Sequence, residues 1–541
     1  MRNIKYVMLS AVLIGFTACN NDDSNEVVIE ATPELNVADL NLSNYVAVGA
    51  SFTAGFSDNA LFKASQEKSF PKILSEQFAQ GGGGSFTQPL MNDNFGGLAV
   101  GGTRITEPRL VFGGAGPVAL ESLIGPVTVT TDIAINNPSG PFNNLGVPGA
   151  KSFHLLAPGY GNLANFPAAA NPYFIRMTGT TPNASVLEMA MAQSPTFFSL
   201  SEIGGQDVLG YALSGGESNP DASNYSPITP SAVFEASYTA LVDGLTANGA
   251  KGVVANLPYI TSLPHFTTVP HKPLDPSNPD FGPQIPLLNS IFGALNQIYD
   301  GLGQPNRKVV FSETAASAVV IRDETLADVS AQLEGALNAS PTFPAFIGQF
   351  GLPEEAAPMV AQLLGQAYGQ TRQATEEDLL VLPSSSVIGT VNTSSVAALM
   401  GAGLSQQLAG QFSIEGITLP LADKWVLLPS EQNEIKAATD AYNATIQSVA
   451  DAKGLALVDF KSILQKASTV GISDGDFILT TALVRGGLVG LDGIHLTSRG
   501  YAVMANKFLA AIDAKYGSNF IEAGVKADVG QYPTNYSPTL Q

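Results

Sequence analysis

The chain has 541 residues, of which 45% are apolar and only 13% are charged. Because disordered chains are polar and poor in apolar residues, this composition excludes a largely disordered protein. The formal net charge of −21 argues against nucleic acid as a partner, since an acidic surface repels phosphate backbones.

The first nineteen residues have the pattern of an export signal. Arg2 and Lys5 give a positive start, and the apolar run at 7–16 is too short to span a bilayer. The segment Phe16-Thr17-Ala18-Cys19 resembles a bacterial lipobox, which implies cleavage before Cys19 and lipidation of its thiol. The alternative is an ordinary secretory signal with a chance cysteine, the only one in the chain, so no intrachain disulfide can form.

We therefore divide the chain into a signal peptide (1–18), a polar tether (19–40), one large domain (41–520) and a C-terminal tail (521–541). The acyl chains would hold the protein at a membrane, at ~0.8 kcal/mol per buried methylene. The acidic start of the tether, 20–23, resembles the export signal of surface lipoproteins, although a solvated tether explains it equally well. We expect an exported lipoprotein of the outer membrane, at the cell surface if that signal operates.

The first predicted strand ends beside a serine. Tyr45–Gly49 is a continuous apolar run, as expected for a strand buried on both faces of a parallel sheet. Ala50-Ser51-Phe52-Thr53-Ala54-Gly55 follows, which places Ser51 at the carboxyl end of the strand, where open α/β sheets bind ligands. Ser51 is a candidate nucleophile, and the alternative is a serine that caps a helix.

Further strands are predicted at 196–200, 251–256, 425–428 and 455–459. A helix between the last two is predicted to be capped by Ser430 and to end at Gly454. Strands that alternate with helices predict an α/β fold with a parallel sheet.

Two long insertions interrupt this pattern, at about 70–143 and 264–420. The second contains predicted helices at 327–337 and 354–368. Insertions at the catalytic edge of such a sheet would form substrate walls or a lid. The apolar run 356–364 favours acyl chains longer than acetate, unless it is only a helix face that packs against the sheet.

A carboxylate and an imidazole share one short segment near the C-terminus, Asp492-Gly493-Ile494-His495. A serine hydroxyl is a poor nucleophile until a neutral histidine takes its proton, and an aspartate orients and stabilises that histidine. The alternative is chance, because Asp-x-x-His is a short pattern. A predicted helix at 502–512 follows the segment.

Two further segments in the middle of the chain complete a set of four that follow one another in a family-specific order. Asn144–Ser152 and Ile203–Tyr211 lie between Ser51 and the Asp492–His495 pair, and the four segments together resemble the blocks of the GDSL/SGNH hydrolases over about 44–516. The resemblance implies a three-layer α/β/α, flavodoxin-like domain. It also implies a catalytic triad of Ser51, Asp492 and His495, and an oxyanion hole formed by the backbone N–H groups of Ser51 and Gly149 and the side chain of Gln206.

The chain departs from the family pattern at two positions. Ala50 stands where the family has aspartate, which is not the acid of the triad. Gln206 stands where the family has asparagine, and it carries the same amide donor on one more methylene. A shift of ~1 Å in a catalytic group can lower the rate by two orders of magnitude, so this replacement bears directly on activity.

The sequence thus predicts a serine hydrolase that cleaves carboxylic esters through an acyl-enzyme, with no cofactor and no metal. The alternatives are a carbohydrate acetylesterase and a catalytically weak surface lipoprotein that binds glycans or lipids. His265 and His271 lack a regular metal-ligand spacing, and His154 is interpreted as structural. Glu202 and Asp207 flank Gln206, but nothing in the sequence places them across a sugar as a glycosidase requires.

Overall fold

The structure is a computed structural model that describes residues 32–217 and 227–540. The predicted signal peptide, Cys19 and the first part of the tether lie outside the described residues. No helix of the described residues is long and apolar enough to cross a membrane.

Five parallel strands form the central sheet, in the spatial order β5-β4-β3-β1-β2. They are β1 (Tyr45–Gly49), β2 (Asn144–Gly146), β3 (Phe197–Leu200), β4 (Lys251–Ala255) and β5 (Ala456–Val458). The chain winds from β1 to β2 in one direction and from β3 to β5 in the other. The switch point of this doubly wound order, where such sheets bind ligands, lies between β1 and β3. The prediction of an α/β fold with a parallel sheet is confirmed.

Six helices cover the sheet: α1 (Phe70–Gln80), α2 (Gly205–Leu213), α3 (Ser231–Thr246), α4 (Pro429–Lys453), α5 (Phe460–Thr469) and α6 (Ser498–Tyr516). Alternating strand residues face opposite sides, because side chains alternate along a strand. Val46 and Val48 belong to a core shared with α2, α3 and α4. Tyr45 and Ala47 belong to a second core shared with α1, α5 and α6. The domain therefore has helices on both faces of its sheet.

The remaining elements are short. Five antiparallel pairs join Leu98–Val100 to Thr103–Thr106, Leu110–Phe112 to Pro117–Ala119, Val320–Arg322 to Thr371–Gln373, Leu379–Leu380 to Val426–Leu427, and Ile472–Asp474 to Phe477–Leu479. Short helices of the α/β region are Ser51–Ala54, Lys63–Gln66, Leu120–Ile124, Pro172–Thr178, Val186–Met191 and Pro264–Thr267. The second insertion contains Ile285–Gly301, Ser330–Ala339, Phe343–Gly348, Ala357–Tyr368, Thr393–Gly401 and Gln406–Gln411.

The segment before α4 differs from its prediction. The strand predicted at 425–428 pairs with Leu379–Leu380 in an antiparallel ladder outside the central sheet. The N-cap position of α4 is Leu428 rather than Ser430, because Pro429 already occupies the first turn of the helix. Glu431 supplies the cap by accepting the backbone N–H of Leu428 at 2.7 Å. Gly454 ends the helix in the left-handed conformation, as predicted.

The two insertions differ in how they pack. The start of the first, α1, covers the sheet and is part of the α/β core rather than an insertion. Most of the second surrounds a hydrophobic core of its own, which runs from Val269 to Leu428. Helix Ala357–Tyr368 packs into this separate core, so the apolar run 356–364, which favoured acyl chains longer than acetate, has a packing role.

Both ends of the described chain lie against the domain. In the tether, the backbone N–H of Asn36 donates to the side chain of Asn519 at 2.7 Å. In the tail, the carbonyl of Ser537 accepts from the buried guanidinium of Arg109 at 2.6 Å. These contacts fix residues on both sides of the predicted domain boundaries.

Candidate active site

Ser51 begins a one-turn helix directly after β1, at the switch point of the sheet. Gly55 closes this turn with a φ of 83°, which glycine adopts without steric penalty. Ser51 is half-buried, and its hydroxyl makes no hydrogen bond to the part of the chain that the structure describes. The side chain thus lies, partly accessible, at the carboxyl end of a buried strand.

Asp492 and His495 lie in the turn of a short hairpin. The backbone N–H of Gly490 donates to the carbonyl of His495 at 2.7 Å, and Thr497 N–H donates to Leu488 at 2.9 Å. The imidazole Nδ1 of His495 lies 2.7 Å from Oδ2 of Asp492. The hydrogen bond on Nδ1 leaves Nε2 as the ring nitrogen that is available to a substrate or a nucleophile.

Asp492 is buried but remains ionised. Its carboxylate accepts the backbone N–H groups of Ile494 and His495, each at 2.9 Å, and that of Asn59 at 2.8 Å. Burial alone would raise the pKa of Asp492, but the adjacent His495 and these donors hold the pKa well below its usual range. A carboxylate fixed in this way can orient an imidazole and stabilise its protonated form.

Aromatic rings place His495 beside the serine turn. The imidazole centroid lies 4.5 Å from the ring of Phe56 and 5.6 Å from that of Phe52, which follows Ser51 directly. The hydroxyl of Tyr501 donates to the carbonyl of Phe56 at 2.5 Å and ties α6 to the same turn. The structure therefore brings Ser51 and the Asp492–His495 pair to one edge of the sheet. Within the described residues, no hydrogen bond joins the Ser51 hydroxyl to the His495 imidazole.

A second buried aspartate holds the hairpin that carries Asp492 and His495. Oδ1 of Asp58 accepts the backbone N–H of Leu491 at 2.9 Å. The backbone carbonyl of Asp58 accepts the backbone N–H of Leu110. Burial raises the pKa of Asp58 to about 7, against the effect of the Leu491 bond. Sequence reasoning missed Asp58 because its partner is 433 positions away.

The turn that carries Gly149 lies next to β1. Val147 N–H donates to the carbonyl of Gly49 at 3.0 Å, and Ala150 N–H closes the turn on Val147 at 3.1 Å. Gly149 has a φ of 80°, which suits glycine at this position of a Pro-Gly turn. The backbone N–H groups of Ser51 and Gly149 find no acceptor in 32–217 or 227–540, so both donors are free for a ligand.

Gln206 lies in the first turn of α2, directly after β3. Its side chain lines the same cavity as Ser51 and makes no hydrogen bond to the described residues. The next residue, Asp207, is fully buried and binds both the N–H and the hydroxyl of Ser152, at 2.9 and 2.7 Å. Asp207 therefore joins the Gln206 helix to the segment that follows Gly149, which is a structural role.

An apolar cavity of about 140 Å³ starts at Ser51 and Gln206 and runs between α5 and α6. Apolar side chains from these helices, from the loop after β4, from the strand Ile472–Asp474 and from the Asp492–His495 hairpin line it: Leu257, Ile260, Leu263, Ile463, Leu464, Ala467, Ile472, Leu488, Ile494, Val503 and Met504. Its position and lining are suited to a hydrocarbon chain rather than a sugar, which needs polar partners.

Two other histidines, His154 and His265, have structural contacts. Nδ1 of His154 accepts the N–H of Lys151 at 3.1 Å, and burial lowers the pKa of His154 to about 4. His265 is buried against the Asp492–His495 hairpin, where its Nδ1 lies 3.2 Å from the carbonyl of Asp492. Sequence reasoning did not connect His265 with this loop.

Three carboxylates outside the site lie within 4.8 Å of one another, those of Glu324, Asp423 and Glu431. Burial raises the pKa of Asp423 to about 7 and that of Glu431 to about 9. Asp423 and Glu431 therefore bind a proton more tightly than exposed carboxylates do.

No protein-family model, curated protein or solved structure matches the chain.

Proposed function

We propose that the protein is a serine hydrolase of the GDSL/SGNH type that cleaves carboxylic esters. The observation that carries the proposal is the buried, ionised Asp492 bonded to His495 beside the turn that exposes Ser51. His495 would take the proton of the Ser51 hydroxyl as the oxygen attacks the ester carbonyl, and Asp492 would stabilise the resulting imidazolium.

The free donors around Ser51 support the same reaction. The backbone N–H groups of Ser51 and Gly149 and the side-chain amide of Gln206 would bind the oxyanion of the tetrahedral intermediate. One such donor contributes ~10²–10³ in rate. Collapse of the intermediate would release the alcohol, which takes its proton from His495. Water activated by His495 would then hydrolyse the acyl-enzyme.

The apolar cavity supports an acyl chain longer than acetate as the group transferred to Ser51. Such a chain gains ~0.8 kcal/mol for each methylene that it buries. The comparison of esters from acetate to palmitate, beside acetylated xylan, separates this function from a carbohydrate acetylesterase. A maximum at acetate, with acetate released from the polysaccharide, would favour the second function.

The central test is the variant Ser51→Ala on a nitrophenyl butyrate ester. We expect turnover to fall by at least ~10³-fold, because the nucleophile is lost. Ser57→Ala is the matched control, since Ser57 lies in the same segment with a buried hydroxyl that has no hydrogen-bond partner. Wild-type turnover in Ser51→Ala would refute the assignment.

We also propose that Cys19 carries a lipid anchor and that the protein is exported to the outer membrane. Metabolic labelling with a palmitate analogue tests this proposal. The label should be present in the wild type and absent from Cys19→Ala, and labelling of the variant would contradict it.

A further inference from the structure

The turn that carries Ser51 has no helix cap of its own. Ala50 occupies the N-cap position of helix Ser51–Ala54 and offers no side-chain acceptor. The first N–H groups of any helix lack partners within the helix. A serine, threonine, asparagine or aspartate at the N-cap normally accepts one of them.

Glu202 supplies the missing acceptor from the end of β3. Its Oε1 accepts the backbone N–H of Ala50 at 2.7 Å and that of Thr53 at 2.8 Å. These are the two N–H groups that a capping box satisfies with two separate side chains. Here one carboxylate, 149 positions or more away along the chain, satisfies both.

The backbone around this carboxylate fits that role. A Cβ on Gly49 would lie 2.8 Å from Oε1 of Glu202 and 2.0 Å from Oγ1 of Thr53, so glycine leaves the room for the carboxylate. Glu202 has a φ of 48°, in the left-handed region that side chains other than glycine rarely adopt. A strained residue persists where its surroundings hold it, and such residues concentrate at functional sites.

The same residue also contacts the other half of the site. The carbonyl of Glu202 accepts the N–H of Gly205 at 2.9 Å, in the turn that leads to Gln206. Glu202 thus bridges the switch point, with its side chain on the Ser51 turn and its backbone on the turn before α2.

We propose that Glu202 is the positioning residue of the nucleophile, which holds the N–H groups of Ala50 and Thr53 inward and so fixes Ser51 relative to Gln206. This proposal rests on the proposed hydrolase function. Without the carboxylate, the one-turn helix has two uncapped N–H groups, and Ser51 is free to move. A displacement of ~1 Å at a reacting group lowers the rate by about two orders of magnitude.

The test compares Glu202→Ala with the double variant Ala50→Asp/Glu202→Ala. In the single variant we expect kcat on nitrophenyl butyrate to fall about 10–100-fold while KM changes little, because orientation rather than binding is lost. In the double variant an aspartate at the N-cap can accept the Thr53 N–H locally, so kcat should recover about tenfold. If Glu202 only stabilised the fold and did not position Ser51, the aspartate at position 50 would not restore kcat.

Glu188→Ala is the matched control. Glu188 accepts the N–H of Ser185 at 2.8 Å in a capping box away from the site, so its loss should affect stability and leave kcat unchanged. The proposal is overturned if Glu202→Ala keeps wild-type kcat, or if the double variant folds but is no more active than Glu202→Ala.

Hydrogen exchange separates this proposal from the hydrolase assignment. The amides of Ala50 and Thr53 should be protected in the wild type, lose protection in Glu202→Ala, and regain it at Thr53 in the double variant. If the wild type shows this pattern but no ester turnover, the hydrolase function fails while the capping role holds. Unchanged exchange in Glu202→Ala refutes the capping role itself.

Discussion

Under the proposed hydrolase function, filling the apolar cavity should shorten the acyl chain of the preferred ester. Ala467 lines the cavity from α5 and is 1% exposed. The variant Ala467→Leu adds three carbon atoms at this position, which would occupy the room of about three substrate methylenes. At ~0.8 kcal/mol per methylene, the loss is about 2.4 kcal/mol for a chain that fills the cavity. This energy corresponds to about a 60-fold fall in kcat/KM.

The assay is kcat/KM for nitrophenyl esters of two to sixteen carbons. The fall should appear only for chains long enough to reach Ala467, and acetate and butyrate should keep their wild-type values within about twofold. Because Ala467 borders a void, its enlargement should also avoid much of the ~1–3 kcal/mol that overpacking of a filled core costs.

Ser468→Leu is the control for this experiment, since Ser468 is the next residue of α5 and is exposed. It adds a larger side chain to the same helix outside the cavity, so the chain-length profile should not change. An equal fall for all esters in Ala467→Leu would show that the helix had moved. An unchanged profile would show that the acyl chain does not enter this cavity.

Variants at three further positions test the site. Asp492→Asn should lower kcat about 10⁴-fold, because the amide stabilises the wrong tautomer of His495; a fall below tenfold would remove Asp492 from the triad. Gln206→Ala should lower kcat ~10²–10³-fold if its amide binds the oxyanion, and a large gain in Gln206→Asn would instead indicate a decayed site. For Glu202, burial raises the folded-state pKa from 4.5 to about 7, so the folded chain holds a proton that the unfolded chain releases above pH ~4.5. Stability from this group is present below that pH and is lost as the pH rises through 7, by about 3 kcal/mol. The side chain of Glu202→Gln cannot ionise, so the Tm of this variant minus the Tm of the wild type should increase between pH 5 and 8. A difference in Tm that stays constant over this range would show that Glu202 does not titrate there.

The sequence predicted those parts of the fold that depend on local pattern. β1 is a continuous apolar run, and α4 has both a periodic apolar face and a terminal glycine, so each could be recognised alone. β2 has only three residues, two of them Asn and Gly, and it exists because it pairs with β1 and because the side chain of Asn144 donates to the carbonyl of Thr53 at 2.8 Å. An apolar run does not show which strand it pairs with, so the sequence predicts a strand at 425–428 without indicating that it lies outside the central sheet.

In the candidate site, too, the sequence predicts the local contacts but not those between distant segments. Asp492 and His495 are three residues apart, so their hydrogen bond follows from a local turn. The groups that hold this turn and the serine turn come from distant segments. Asp58 and Glu202 reach their partners across 433 and up to 152 positions, and neither carries a local signal of its contact. The cavity likewise depends on how α5 and α6 pack, which no single segment determines.

The environment of the carboxylates near His495 determines which of them can act as its partner. Asp58 and Asp492 are both buried and influence each other's titration, yet their pKa values move in opposite directions. Asp58 accepts one backbone N–H with its carboxylate, and burial dominates, so it favours the protonated form up to about pH 7. Asp492 accepts three backbone N–H groups and the imidazole, which outweigh burial and keep it charged. Two adjacent acids whose environments separate their pKa values have distinct tasks. Asp492 is therefore the anion that can stabilise an imidazolium, while a protonated Asp58 can hold the loop without adding a second negative charge.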